Sequence, residues 1–262
     1  MEASYLDLIF FSKKRKDILL LLRDGPKSLE EIKTVLDATA ISIQPQIKLL
    51  KGRHLLRREN NAYELTLIGE AIVDKMQGLV DTLEALESKY DFWESHRLDG
   101  IPPDLLKRIG DLKCSTFARP LDGGSMFSPH TEFVENIAKS DYVKGISPFI
   151  HPLYPKMFLA FAERGTDVSL IVTASVFERM RTEFRSELEP FLGLNNTKLY
   201  VYEKEMLLSS AVTNCFLSLG LFYNNGTYDH ANDILCFEPE ALQWGEDLFT
   251  YYQGMSREVT EI

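Results

Sequence analysis

Apolar residues recur three and four positions apart through most of the first ninety residues, a spacing that predicts helices separated by short polar turns. Leu6, Ile9, Phe10, Ile18, Leu19 and Leu22 predict a first helix over residues 5–22, closed by Gly25-Pro26. Ser28-Leu29-Glu30-Glu31 has capping-box spacing, and Leu29, Ile32, Val35 and Leu36 continue inward behind it. After a turn at Asp37-Ala38-Thr39, Ile43, Ile47, Leu49 and Leu50 predict a second periodic helix. Its start has two readings. A cap at Thr39 places Pro45 six positions in, where it removes a backbone bond and kinks the helix. A cap at Ser42 places Pro45 in the first turn, where the missing N–H costs little. Leu55-Leu56-Arg57-Arg58 and Ala62-Tyr63-Glu64-Leu65 then flank the polar turn Glu59-Asn60-Asn61 as two short strands. Helix, turn, helix and basic hairpin make a winged helix-turn-helix over residues 1–66, whose second helix suits a DNA major groove.

Charge agrees with that shape. Residues 1–66 hold 12 Lys/Arg against 9 Asp/Glu, a net of +3, within a chain of net −10, which leaves −13 for the rest. A net-positive segment confined to the helix-turn-helix suggests double-stranded DNA as partner, with the acidic remainder kept off the phosphates. Thr39, Ser42, Gln44, Gln46 and Lys48 are the polar residues placed to face a groove; Gln pairs bidentately with adenine and Ser bonds either base type. Lys51, Arg53, Arg57 and Arg58 suit phosphates, which position without specifying sequence. The cluster Lys13-Lys14-Arg15-Lys16 meets a phosphate or solubilises the surface, and His54 is expected to pack at a helix end.

Beyond the hairpin, Thr66 is a candidate cap for a long helix reaching about Ser88. Ile72, Met76, Leu79, Leu83 and Leu86 repeat at 4, 3, 4, 3, the spacing of a coiled-coil seam. That stripe either joins a homodimer, the reading preferred here, or packs against its own domain. Residues 90–103 mix aromatics with Gly and a Pro pair, and burial of Phe92 and Trp93 would make them an ordered connector. A dimerisation helix and connector over 67–103 thus precede a third segment, 104–262.

That segment alternates strand and helix patterns. Strands are expected over 141–147, 168–172 and 198–202, with helices over 153–164 and onward to about Leu192. Ala211 to Tyr223 and Asp233 to Phe237 read as a hairpin-like pair, and Glu238-Pro239-Glu240 opens a last helix to about Tyr252. The expected fold class is mixed α/β, with a C-terminal sheet covered by helices. Ligands in such sheets gather at strand carboxyl ends. Those ends offer Ser147, Phe149, His151 and Tyr154 in one loop, Thr173 after the next strand and Tyr202 after the third. His151 would bond an anionic or hydroxylated effector, or else cap the following helix or bond a carbonyl. Tyr228 and Trp244 would close the pocket or belong to the core.

Composition removes several classes. No run of eighteen apolar residues appears, so no membrane partner is expected. Met1-Glu2-Ala3-Ser4 lacks a basic, then apolar, signal region, and a cytoplasmic location is expected. Cys114, Cys215 and Cys236 lack metal spacing and read as buried filler. No P-loop, GxSxG, HExxH or dinucleotide fingerprint is present, and Gly123-Gly124 is a turn rather than a phosphate cradle. No cofactor, metal or catalytic residue is expected.

The runs FWESHRLDGIPPDLLKRIGDL from Phe92, GISPFIHPLYPKMF from Gly145, FLSLGLFYNNGTYD from Phe216 and WGEDLFTYY from Trp244 resemble the archaeal regulators with the methanogen filamentation-regulator middle domain. The first 66 residues resemble the ArsR-like winged helix of those proteins. The resemblance implies a transcription factor with a C-terminal sensor or regulatory domain. That domain is also distantly similar to the phospholipase-D-like effector domain of TrmB sugar-responsive regulators. Phospholipase-D hydrolysis needs His-x-Lys pairs, and none of His54, His96, His130, His151 or His230 has Lys two positions on. The expected protein is a dimeric, effector-responsive regulator rather than an enzyme. Recruitment of a protein partner by the second domain, or redox response through a cysteine, are the alternatives. A closed cavity at the strand ends would favour an effector; a convex surface would favour recruitment.

Overall fold

A computed structural model describes residues 4–118 and 131–262; Met1-Glu2-Ala3 and the Gly123-Gly124 turn lie outside them. The described residues divide into two units at Asp81 and Thr82. The α5 helix introduced below crosses that point, so the expected middle segment is shared between the units.

In the first unit, the single helix expected over 5–22 is two. Ser4 Oγ accepts from the Asp7 N–H at 3.1 Å to open α1 (Tyr5–Phe10). The chain turns extended at Ser12 (φ −145°), whose Oγ accepts from the Arg15 N–H to open α2 (Lys13–Leu21). The break changes which residues face inward. Leu8 and Ile9 are buried, whereas Leu6 is 69% and Phe10 40% exposed. A short strand β1 (Lys27–Ser28) leads into α3 (Leu29–Val35), capped on both sides of the box: the Ser28 N–H donates to Glu31 Oε2 at 2.7 Å and the Glu31 N–H to Ser28 Oγ at 3.2 Å. Val35, expected inward, is exposed.

Asp37 takes a left-handed conformation (φ 44°), tolerated by its short polar side chain, and turns the chain into α4 (Ala40–Gly52). The helix starts at the earlier of the two expected positions, with Thr39 extended at its cap and Pro45 inside. Strands β2 (Leu56–Glu59) and β3 (Ala62–Leu65) join through Asn60 and Asn61 at φ 46° and 65°, the paired positive φ of a type I′ hairpin. Sheet order β1-β3-β2 completes a winged helix.

Thr66 Oγ1 accepts from the Gly69 N–H at 3.1 Å at the start of α5 (Leu67–Ser88). The expected five-residue seam is not one stripe. Met76 is buried and Ile72 half-buried in the first unit's core, beside Val73 and Val80. Leu86 packs into the second unit's core, while Leu79 and Leu83 are 48% and 43% exposed. Met76 and Leu83, one heptad and only about 20° apart around the helix, still differ in burial, so what packs beside each turn decides the stripe rather than its spacing.

The second unit begins with α6 (Tyr90–Ser95), which buries Phe92 and Trp93; the Trp93 Nε1–H donates to the Ala85 carbonyl at 2.9 Å. The short α7 (Pro103–Leu106), β4 (Thr116–Phe117) and α8 (Thr131–Ala138) follow. The main alternation is β5 (Tyr142–Ser147), α9 (Tyr154–Glu163), β6 (Asp167–Thr173), α10 (Ala174–Glu183), α11 (Arg185–Gly193) and β7 (Thr197–Tyr202). The run expected as one strand from Ala211 is two, β8 (Leu208–Thr213) and β9 (Leu217–Leu221), because Thr213 Oγ1 accepts from the Cys215 and Phe216 N–H groups and turns the chain. The elements β10 (Ile234–Cys236), α12 (Pro239–Gln253) and β11 (Arg257–Val259) close it. No expectation covered β11.

The sheet runs β11-β7-β6-β5-β8-β9-β10-β4; only the β5-β6-β7 pairings are parallel. Strand alternation sends Val168, Leu170, Val172, Leu199 and Val201 against α9, α10 and α11. Ile146, Ile171, Tyr200 and Tyr202 go to the opposite layer with α12. Trp244 anchors that layer as core, its Nε1–H donating to the Leu105 carbonyl at 2.9 Å. His96, buried at 4% exposure, stacks between Phe92 and Tyr223 with Nε2 3.2 Å from Asp229 Oδ2. The histidine and its carboxylate fasten α6 to the chain after β9.

Candidate DNA-reading surface and ligand cavity

In the first unit, α4 turns Ile43, Ile47 and Leu50 into the core and leaves Ile41, Gln44, Pro45, Lys48, Leu49 and Lys51 outward. Gln44 and Lys48, one turn apart, hold the middle of that face. Gln46 lies to its side, half-buried, with Oε1 accepting from Arg15 Nη1 at 2.9 Å. Arg15 also donates to the Leu8 carbonyl, so it ties α1 to α4 instead of standing with the exposed Lys13 and Lys14. Ser42 is spent locally, its Oγ donating to the Thr39 carbonyl at 2.9 Å, while Thr39 itself is exposed. Leu49, expected in the core, is 48% exposed, and Ile41 is 86% exposed. Sequence reasoning missed Ile41 and Pro45 as outward residues. An aliphatic group on a groove-facing helix is suited to thymine methyl contact.

The wing carries its basic residues as expected, but not unpartnered. Arg57 Nε donates to Glu64 Oε1 at 2.5 Å, holding that carboxyl below its ordinary range, and Arg58 donates to Asn61 Oδ1 at 3.0 Å. Exposed pairs of this kind contribute little to stability. The Arg53 guanidinium lies 4.9 Å from the Tyr5 ring, joining the end of α4 to α1. His54, expected to pack at the helix end, is exposed just past the Arg53 cap of α4, at φ 56°.

In the second unit, a cavity of about 560 Å³ opens between the carboxyl ends of β5 and β6, strands β8 and β9, and helices α9 and α10. Ser147, Phe149, His151 and Tyr154 all line it. Two expected residues do not. Thr173 caps α10, its Oγ1 accepting from the Val176 N–H at 3.3 Å. Tyr202 is buried in the other layer, 5.1 Å from Tyr252 ring to ring, because strand alternation faces it away from α9. His151 Nδ1 accepts from the Leu153 N–H at 3.2 Å, ahead of α9, whose cap has no side-chain hydrogen bond, and the residue borders the cavity. Sequence reasoning missed Ser209 and Ser218, on β8 and β9, and His230 and Asp233, on the chain between β9 and β10. Tyr228 joins them: Ser209 Oγ lies 2.6 Å from its Oη, which donates to Asp233 Oδ1 at 3.1 Å. Gly220 leaves room for this chain of hydroxyls, since a Cβ there would meet Tyr228 Oη, Asp233 Oδ1 and Ser209 Oγ.

The cysteines divide. Cys236 is buried filler with its thiol pushed up to about 12 by burial, while Cys114 and Cys215 are exposed. No group of three or more metal-ligating side chains occurs among the described residues, and no described helix is long and apolar enough to cross a membrane.

Residues 126–255 match the middle domain of the methanogenesis regulatory protein FilR1, and residues 4–88 match the HVO_A0261 N-terminal domain. The chain is 28% identical over 258 residues to the methanogenesis regulatory protein FilR1 of Methanothrix harundinacea strain 6Ac; the match covers 97% of this chain and 58% of that protein's length. Among solved structures, TrmBL2, an archaeal chromatin protein with a novel mode of DNA binding, aligns at 13% identity and TM-score 0.45 over 97% of each chain. Nuc, a phospholipase D family member from Salmonella typhimurium, aligns at 12% identity and TM-score 0.41, covering 56% of this chain and 98% of that one. Likeness at that level leaves the fold to the strand order and packing described above. One chain thus carries a match to the FilR1 middle domain over residues 126–255 and a match to the HVO_A0261 N-terminal domain over residues 4–88.

Proposed function

We propose that this chain is a DNA-binding transcription regulator whose second unit takes a small-molecule effector. The carrying observation is the outward face of α4, where Gln44 and Lys48 stand exposed beside Ile41 and Pro45. That face lies in a segment of net charge +3 on a chain of net −10. Polar, basic and methyl-contacting groups on one helix face are what major-groove reading requires, with Lys51, Arg57 and Arg58 as phosphate contacts. The name of the Methanothrix harundinacea relative, a regulatory protein, agrees with this reading. The strand-end polar groups border a cavity rather than a convex surface, which favours a small molecule over a protein partner for the second unit. The α5 helix contributes to both cores and is the covalent route by which occupancy would reach the DNA-reading unit. Leu79 and Leu83, exposed on α5, are the residues proposed for a homodimer contact.

Selection from a random duplex library with the full chain tests the DNA reading. Enrichment of a defined sequence, lost in Gln44→Ala/Lys48→Ala, supports it. Recovery of sequences no different from the input library contradicts it.

A further inference from the structure

We infer that the outward face of α4 selects T·A base pairs, with Ile41 packed on the thymine methyl group and Gln44 bonded to the adenine edge; this rests on the reading of α4 as the DNA-reading helix. Ile41, Pro45 and Leu49 are exposed and four residues apart, so they form one apolar stripe along α4. Gln44 and Lys48, also exposed and four apart, run beside that stripe, and Lys51 continues their line. At 3.6 residues per turn, Ile41 points about 160° away from Ile43 and about 180° away from Leu50, both buried. It is the second residue of the helix and stands opposite the core. The N-terminal residues of a recognition helix are the ones that reach base edges.

Group chemistry decides the base pair. In the major groove a T·A pair presents a methyl group on thymine, and on adenine the N7 acceptor beside the N6 amino donor. Isoleucine carries no donor or acceptor. Laid on a G·C pair, it would strip water from guanine O6 and N7 or from the cytosine amino group and replace none of it. Laid on a thymine methyl it loses nothing and removes apolar surface from water. The Gln44 amide carries both a donor for N7 and an acceptor for the N6 amino group. A rise of about 1.5 Å per residue puts Gln44 about 4.5 Å along the axis from Ile41. That is close to the base-pair step of roughly 3.4 Å, so the two side chains serve one pair or two neighbours. Two other residues expected at the groove are engaged within the protein: Ser42 Oγ donates to the Thr39 carbonyl and Gln46 Oε1 accepts from Arg15. Lys48 and Lys51 beside the stripe, in a segment of net charge +3, make a duplex the occupant that complements this face in charge.

The test takes the chain with both units present and the duplex enriched from the random library, with each thymine replaced in turn by uracil, which deletes only the methyl group. In fluorescence anisotropy at least one replacement should weaken the parent about fourfold, the worth of one buried methyl. Ile41→Ala should bind the thymine duplex with a similar loss and no longer distinguish uracil from thymine at that position. An adenine analogue with carbon in place of N7, at that pair or the next, should weaken the parent several-fold and leave Gln44→Ala unchanged. Both side chains are exposed, so both variants should keep the parent's circular dichroism. An enriched sequence without a T·A pair, or one bound equally well with uracil at every position, would overturn the inference while leaving a DNA-reading helix. A uracil penalty that survives in Ile41→Ala, or an adenine penalty that survives in Gln44→Ala, would overturn the assignment to these residues. Recovery of no enriched sequence would overturn the DNA reading and this inference with it.

Discussion

Gly220→Ala should unsettle the second unit, although the added group is a single methyl carbon. The glycine sits in β9 beneath the polar end of the cavity, and a Cβ there would meet Tyr228 Oη, with Asp233 Oδ1 at 2.5 Å and Ser209 Oγ at 2.7 Å. All three atoms belong to one hydrogen-bonded run, so no one of them yields without disturbing the others. Displacing Tyr228 breaks two hydrogen bonds at about 1 kcal/mol each, and overpacking adds about 1–3 kcal/mol. The expected cost is therefore about 3–5 kcal/mol. For a domain of this size each kcal/mol lowers Tm by about 2–4 °C, so the unit's transition should fall by about 6–20 °C in calorimetry. Gly220→Ala/Tyr228→Phe should recover part of the loss, because the phenylalanine ring lacks the oxygen the methyl would meet. A Gly220→Ala transition within about 1 °C of the parent's, or a double variant whose two costs simply add, would refute this account of the site.

Three further outcomes follow from geometry. Burial raises the Asp229 carboxyl, but donation from Asn232, Ala231 and Tyr223, with His96 beside it, outweighs burial and holds it below its ordinary range. Its contribution to stability is therefore full above the unfolded-state value of about 3.9 and is lost as pH falls through the depressed folded value. Asp229→Asn should cost about 1–3 kcal/mol at pH 7, with the gap to the parent narrowing as pH drops toward 3; a gap unchanged by acid contradicts this. Leu79→Glu/Leu83→Glu should convert a dimer to a monomer in sedimentation with the winged helix's circular dichroism unchanged, and a persistent dimer would remove those residues from the interface. Ser28→Ala, which removes one side of the α3 capping box, should cost about 1 kcal/mol in urea unfolding, and no change in midpoint would contradict the cap's role.

Local chemistry makes most of the first unit legible in the sequence. The capping box at Ser28 and Glu31, the Asn60-Asn61 turn and the Ile43–Ile47–Leu50 stripe are short-range patterns whose partners lie within a few residues. The break at Phe11–Ser12 was hidden because apolar spacing runs on across it, and only the extended Ser12 backbone interrupts the helix. For the seam, the 4-3 repeat is real in sequence but cannot say which neighbour each residue meets; Met76 and Leu86 go to different cores. The cavity divides the same way. The β5 loop was legible as an aromatic, polar segment at a strand end, and Tyr228 as a residue to close the pocket, whereas Ser209 arrives from β8 and Asp233 from the chain between β9 and β10. Strand parity places Tyr202 opposite Val201, but sequence does not tell which face holds α9.

Salt-dependent fluorescence anisotropy on one selected duplex addresses the central claim most directly, comparing the parent chain with Lys48→Ala and Gln44→Ala between about 50 and 200 mM salt. The account predicts parent binding that weakens steeply with salt. Gln44→Ala should lose about 1–3 kcal/mol on the selected sequence with the slope unchanged. Lys48→Ala should either lower the slope by about 1, as a phosphate contact, or behave as Gln44→Ala, as a base contact. Parent affinity independent of salt, or both variants binding like the parent on every duplex, would contradict a DNA-reading role for α4.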